Sequence, residues 1–399
     1  MGRKRVIQLT PPVVSNPFRT AERFYKKSDA RTCLATAFDP SRIVWESPTE
    51  DGSVRGVWQG EGKSTEECWK VPLGDLAESG MGQSRWKGKE KEGEGDWAII
   101  VPRIPGLVLF PSILPESLQR DLVVETLQHA RRPNLTNLDP HYVLPEGGLW
   151  NAWLARRGEE VVPALKTEEA VSPGTGSGYD TPSTDAGSRT GSRDGREKQV
   201  TVRELLPKLR WSNVGFHYNW TTKLYEFERG CVPLPPLVHR SCRDIIRATP
   251  WELVFPGETA NEESKASWRS WKEDYEPDAG IINFYQLKDS LTGHTDHSEV
   301  DAVRPLVSFS LGHSSIFLVG RTTKDVPPLA ILLRSGDGLC MSGESRLAYH
   351  GLPRVLVNTL PSYLSSSQPE PVEGAEDWRP YGEYLGRGAR MNVNVRSVF

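Results

Sequence analysis

The chain has 399 residues, with 49 Lys and Arg against 52 Asp and Glu, for a formal net charge of −3. That length allows one large domain or two ordinary ones, and the near-neutral balance excludes a globally basic nucleic-acid binder, so any such affinity must come from local patches. The composition, with 36 Gly and 31 Pro, favours a turn-rich β architecture over a helical bundle. Cys33, Cys68, Cys231, Cys242 and Cys340 form no CxxC pair and are odd in number, which points to a reducing compartment rather than a disulfide framework. No stretch reads as a secretory signal or a membrane span. The expectation is a cytoplasmic or nuclear protein, a mitochondrial address left open, with no membrane contact and no obligate protein partner.

In chain order, residues 1–96 read as a partly disordered extension. Its Arg3, Lys4 and Arg5 suit a nuclear address, a phosphate contact or a solvated tail, and Ser79 to Asp96 is rich in Lys, Glu and Gly with little to bury. Order is expected to begin at Trp97-Ala-Ile-Ile-Val, followed by a short strand at Leu107 to Phe110 and a helix from Pro115 to about Ala130, with Leu118, Leu122 and Leu127 on its buried stripe. These belong to a support region, 97–166. Residues 167–199 alternate Gly, Ser, Thr, Pro and Asp and read as a disordered insertion. The main domain is then 200–399. Within it Asn213 to Trp220 and Lys223 to Phe227 flank a Thr-Thr turn and read as a β-hairpin, and Leu237 to Ala248 reads as a helix. From Gly280 the pattern is strand-like: Ile281 to Leu287, Leu306 to Leu311, Ser315 to Val319, Leu329 to Arg334, Gly338 to Met341, and Met391 to Val398. The fold class is therefore α+β, a double-stranded β-helix (jelly roll) over about 278–399 with flanking helices and an aromatic-rich hairpin lid.

His294-Thr295-Asp296 follows a strand, and in extended chain residues i and i+2 project to one side, so both side chains can grip one ion. His350, in a Tyr-His-Gly context, supplies a third ligand. Two imidazoles and a carboxylate on one face leave open positions, which suits a non-haem iron(II) oxygenase. A histidine near a strand end is more often a plain hydrogen-bonding residue, so the triplet alone is weak; His297 and His313 are read as structural. Such an iron site works with a second oxidisable molecule, and 2-oxoglutarate needs a cation for its distal carboxylate, a task that fits arginine. Arg390, Asn392, Asn394 and Arg396 alternate with Met391, Val393 and Val395. A solvent-exposed edge strand explains that alternation equally well.

Taken together, Asn283-Phe-Tyr285, His294-Thr-Asp296, Ser342-Gly-Glu-Ser-Arg346-Leu-Ala-Tyr-His350 and Arg390-Met-Asn392-Val-Asn-Val-Arg396 resemble the AlkB family of nucleic-acid dioxygenases. Leu209 to Trp220, Ala279 to Asn283 and Arg304 to Gly312 are similar to the AlkB homologue 1 branch, so the chain resembles a divergent member carrying insertions. The resemblance implies that His294, Asp296 and His350 ligate Fe(II), that Asn283 and Tyr285 hydrogen-bond 2-oxoglutarate, that Arg390 pairs its distal carboxylate beside Asn392, and that Arg396 lies at the metal-proximal end. It also implies O2 as cosubstrate and an N-methylated base in tRNA or DNA as substrate, oxidised with release of formaldehyde. Two departures stand out: the interval from His350 to Arg390 is swollen by a Ser/Pro/Glu-rich insertion about 361–376, and Ser298 stands where some members that read methylated adenine carry an acidic residue.

The segment Lys208 to Arg229 interleaves cations with aromatics, as a lid over an extruded base requires. His217, Tyr218 and Trp220, with Arg346, are the candidate substrate-binding residues, although aromatics in a hairpin are more often core. Two other classes keep part of this pattern. A 2-oxoglutarate oxygenase of protein (histone) side chains keeps the metal and cosubstrate residues without the stacking hairpin, and a non-catalytic jelly-roll module keeps the fold alone.

Overall fold

The computed structural model describes residues 16–61, 64–76, 80–82, 96–165, 199–256, 268–296, 298–300, 302–367 and 377–399. The expected disorder of 167–198, most of Ser79 to Asp96, the basic arm Arg3 to Arg5, His297 and 368–376 lie outside the described residues.

Strands β1 (Ile43–Trp45), β2 (Val54–Gln59), β3 (Thr65–Pro72), β4 (Trp97–Ile100) and β5 (Leu107–Phe110) form an antiparallel meander, and β6 (Val161–Val162) pairs separately with β7 (Val200–Thr201). After β8 (Trp211–Gly215) comes a small hairpin of β9 (Tyr218–Asn219) and β10 (Leu224–Tyr225). The remaining strands are β11 (Ala279–Tyr285), β12 (Leu291–His294), β13 (Leu306–Gly312), β14 (Ser315–Val319), β15 (Leu329–Leu333), β16 (Gly338–Met341), β17 (His350–Val355) and β18 (Arg390–Arg396). One ten-stranded sheet runs β1-β2-β3-β4-β5-β16-β13-β18-β11-β8, and a four-stranded sheet runs β12-β17-β14-β15. The two sheets pack through Leu107, Leu109, Leu306, Leu339 and Met341 on one side and Val319, Leu329, Ile331 and Leu333 on the other. This fits the expected jelly-roll core.

Period-two alternation decides what each strand offers to which layer. In β5, Leu107 and Leu109 face the second sheet, while Val108 and Phe110 join the core under the helices Glu116–His129 and Pro236–Ala248. In β18, Met391, Val393 and Val395 take the helix side, which leaves Arg390, Asn392, Asn394 and Arg396 for the interior between the sheets. The strand lies between β13 and β11, so its polar face turns to the interior, with Arg390 and Arg396 buried and Asn392 and Asn394 half-buried, and is not an exposed edge.

The structure also corrects where order begins. Described residues before Trp97 are packed: the helix Pro17–Lys27, capped by Asn16, puts Phe18 and Tyr25 against Ile316, Leu318 and Leu332 on the outer face of the small sheet. In β2 the residues Val54, Gly56 and Trp58 turn inward, and Trp58, Cys68 and Phe38 join the inter-sheet core. Few apolar residues spread over three short strands hide this layer in the sequence. The hairpin is shorter than expected as well. Gly215 adopts φ +72°, and a Cβ there would stand 1.9 Å from the Asp278 carbonyl oxygen, so the chain leaves the sheet at Gly215 and only two residues on each side pair.

A candidate metal and cosubstrate pocket

β12 and β17 are antiparallel neighbours, and their register sets His294 directly opposite His350; the ring centroids are 4.4 Å apart. Asp296 follows two residues on, and one donor atom from each of the three lies within 4.8 Å of the other two. The sequence pair and the distant third residue therefore converge. Each imidazole is oriented from behind: Nδ1 of His294 donates to the Thr292 carbonyl at 2.9 Å and Nδ1 of His350 donates to the Ala348 carbonyl at 3.1 Å. A carbonyl can only accept, so the proton sits on Nδ1 and Nε2 carries the lone pair in both rings, the tautomer a metal requires.

Asp296 has its two oxygens differentiated. Oδ2 accepts from Arg396 Nη1 at 3.0 Å, and Oδ1 stands 3.7 Å from His294 Nε2. Burial works against its charge, but the positive charges around it, led by the Arg396 guanidinium with Arg346 behind, together outweigh burial and hold the carboxyl well below the usual carboxylate range. Burial, with His294 beside it, pushes His350 down to about 4. The neutral ring and ionised carboxylate are the ligand forms.

These groups open on a cavity of about 90 Å³ that is also lined by Asn283, Tyr285, Arg390, Asn392, Asn394, Arg396 and Trp220. Arg390 is fully buried. Its Nη1 donates to the His313 carbonyl at 3.0 Å and its Nη2 to Ser310 Oγ at 2.8 Å, both neutral acceptors, and its Nε has no partner among the described residues. Burial lowers its pKa to about 10. A cation so placed, without an ion pair to any described carboxylate, can receive an anion. Asn392 Nδ2 donates to Ser308 Oγ at 2.7 Å, which leaves its amide oxygen for the cavity.

Not every expected residue is there. Trp220 lines the cavity while 36% exposed, but Tyr218 stands behind it, edge-on at 5.0 Å between centroids, with its hydroxyl 3.2 Å from Ser298 Oγ. His217 does not line the cavity: its Nδ1 accepts from Asn213 Nδ2 at 2.6 Å and its Nε2 is 3.7 Å from Glu226. Arg346 is corrected outright. It is fully buried and ion-paired with Glu299 at 3.2 Å, so it presents nothing to a polymer. Glu299, in ion-pair contact with both Arg346 and Arg396, is not among the sequence candidates, and neither is Asn394 as a lining residue. The polar alternation of β18 did signal Asn394; nothing local marks Glu299, because exposed acidic residues three beyond an Asp are ordinary.

A family model described as the 2OG-Fe(II) oxygenase superfamily matches residues 182–396. The chain is 30% identical over 310 residues to the tRNA demethylase abh1 of Schizosaccharomyces pombe, covering 75% of this chain and 83% of that protein. It belongs to the AlkB family of this superfamily. Within that family it is also 32% identical over 312 residues to the nucleic acid dioxygenase ALKBH1 of Mus musculus, covering 74% of this chain and 64% of that protein. With the Arabidopsis thaliana DNA N(6)-methyladenine demethylase ALKBH1A it shares 33% identity over 205 residues, 51% of this chain and 52% of that one. The chain thus spans less than two thirds of the length of its mouse AlkB-family relative.

Proposed function

We propose that this chain is an Fe(II)- and 2-oxoglutarate-dependent oxygenase that removes methyl groups from N-methylated bases in nucleic acid, tRNA or DNA. The observation that carries the reading is a single cavity with two differently equipped regions. His294, Asp296 and His350 converge on one point, and the guanidinium of Arg390 lines the same cavity without a counter-ion among the described residues. Two imidazoles and one carboxylate fit iron(II), and a buried cation fits the distal carboxylate of a dicarboxylate cosubstrate.

Iron(II) held there would supply oxygen activation, coupled to conversion of 2-oxoglutarate and O2 into succinate and carbon dioxide, so that an N-methyl carbon is hydroxylated and then leaves as formaldehyde. The protein's residues do the rest. Arg390 anchors the cosubstrate at one end, with Asn283, Tyr285 and Asn392 as polar neighbours, and Arg396 steadies Asp296. The apolar lining from Leu291, Leu306, Phe317, Leu339 and Met341 excludes water from the reacting carbon. Trp220, half-exposed at the cavity and braced by Tyr218 and Trp211, acts as a stacking face for a base drawn out of its polymer. The names of the relatives, which include tRNA and DNA demethylases, support this substrate class.

The test is incubation of the purified protein with Fe(II), 2-oxoglutarate and either methylated tRNA, methylated DNA or methylated histone peptide. Formaldehyde should appear, and methylated nucleosides should disappear, with a nucleic acid. Turnover confined to the peptide would replace this reading with that of a protein oxygenase.

A further inference from the structure

Glu299 is a carboxylate with almost no exposure, 1% for its side chain, and it sits between two arginines that are themselves buried. Its Oε1 is 3.2 Å from Arg346 Nη2 and in contact with Arg396 Nη1. The same Arg396 Nη1 donates to Asp296 Oδ2 at 3.0 Å. One guanidinium nitrogen therefore bridges Glu299 and Asp296, and Arg396 Nη2 is held in turn by Asn394 Oδ1 at 3.1 Å. Two carboxylates and two arginines balance in charge, as buried ions must.

We propose that Glu299 is a positioning residue for the metal site: by fixing Arg396 it occupies Asp296 Oδ2 and leaves Asp296 Oδ1 to serve as a single-oxygen ligand beside the two imidazoles. The proposal rests on the assignment of His294, Asp296 and His350 as metal ligands. A carboxylate with both oxygens unconstrained can rotate, bind an ion through two oxygens or turn away. With Oδ2 committed to a clamped arginine, its plane is set before a metal arrives. Partners of this kind behind a ligand matter for affinity by roughly 10–100-fold. The residue before Glu299 meets the hairpin. Ser298 touches the Tyr218 hydroxyl, so the segment after Asp296 joins the metal site to the residue that braces Trp220.

The test uses the full chain with Co(II) and Mn(II) as probes, without oxygen. Glu299→Gln keeps the shape and removes the charge; Co(II) should bind about 10–100-fold more weakly, with an altered visible d–d spectrum, while Glu299→Asp recovers part of both. Since Glu299→Gln removes the counter-ion that Arg346 has among the described residues and can lower the melting temperature for that reason alone, Glu299→Gln combined with Arg346→Met is measured beside it. The double variant should regain melting temperature but not metal affinity or the native spectrum. If the double variant binds Co(II) as tightly as the unmodified chain with an unchanged spectrum, Glu299 is only a counter-ion for Arg346 and the proposal falls. His294→Ala serves as the control for the underlying assignment: unchanged Co(II) affinity in that variant overturns the triad itself, a result distinct from failure of the Glu299 variants.

Discussion

His350 donates its Nδ1 proton to Ala348 and is buried beside His294, so a second proton finds little solvent to stabilise it. Its pKa in the metal-free protein is pushed down to about 4 from an ordinary 6.5. The unfolded chain therefore binds a proton between these values that the folded chain refuses. Stability from this residue is fully present above about pH 6.5 and is lost as pH falls toward 4, by at most about 3 kcal/mol at 1.36 kcal/mol per pH unit. Denaturation of metal-free protein across that window should show the slope, and His350→Gln should flatten it by about one proton; an identical slope in both would remove His350 as its source. At the other end of the cavity, Arg390→Ala should cost roughly 2–5 kcal/mol in 2-oxoglutarate binding, the usual loss when one member of a buried charged pair is removed. Arg390→Lys should recover only part, since an ammonium cannot reproduce the guanidinium fork toward Ser310, the His313 carbonyl and a carboxylate. Anaerobic titration with Mn(II) present reads both, and unchanged affinity in Arg390→Ala would assign the role to another cation.

At the scale of elements, the strands with long apolar runs were legible: Ser315–Val319, Gly338–Met341 and Leu107–Phe110 are where the sequence places them. β12 and β17, which carry the histidines, are not legible as strands. Their sequences, Leu-Thr-Gly-His and His-Gly-Leu-Pro-Arg-Val, contain the glycines, proline and polar residues that a site needs and that strand propensity disfavours. Their positions could be inferred only from the chemistry of their ligands. The β9–β10 hairpin shows the opposite limit, since alternating aromatics cannot reveal which ones face a cavity. Trp220 does and His217 does not. Trp220→Ala should therefore reduce turnover of methylated nucleic acid by about 1–3 kcal/mol, the worth of one stacked base, while 2-oxoglutarate consumption without substrate and the melting temperature hardly move. A fall in all three together would make Trp220 a packing residue.

For the molecule as a whole, sequence and fold part most sharply over residues 16–76, which the composition presents as an appendage and which supply three of the ten strands of the main sheet. β3 pairs with β4 from Trp69 opposite Ile100 to Pro72 opposite Trp97. Phe38 is built into the small sheet, its N–H donating to the Ala330 carbonyl at 2.7 Å and its carbonyl accepting from Leu332 at 2.9 Å. The helix Pro17–Lys27 reaches the strand that carries His294. Glu22 Oε1 accepts from the Gly293 N–H at 2.5 Å, and Phe18 fills a notch where a Cβ on Gly293 would meet its ring at 2.3 Å. A chain started at Trp97 would expose the backbone of β4 as a new edge and strip Trp58, Cys68 and Phe38 from the inter-sheet core. It should be recovered mainly as aggregate or without a cooperative melt. The milder Phe18→Ala, in the intact chain, should cost about 3–5 kcal/mol by leaving a cavity under the small sheet. Because that cavity adjoins Gly293, His294 should lose order with it, and Co(II) affinity should fall along with stability. A truncated protein that melts cooperatively at the temperature of the full chain would show the first 96 residues to be the dispensable extension that their composition suggests.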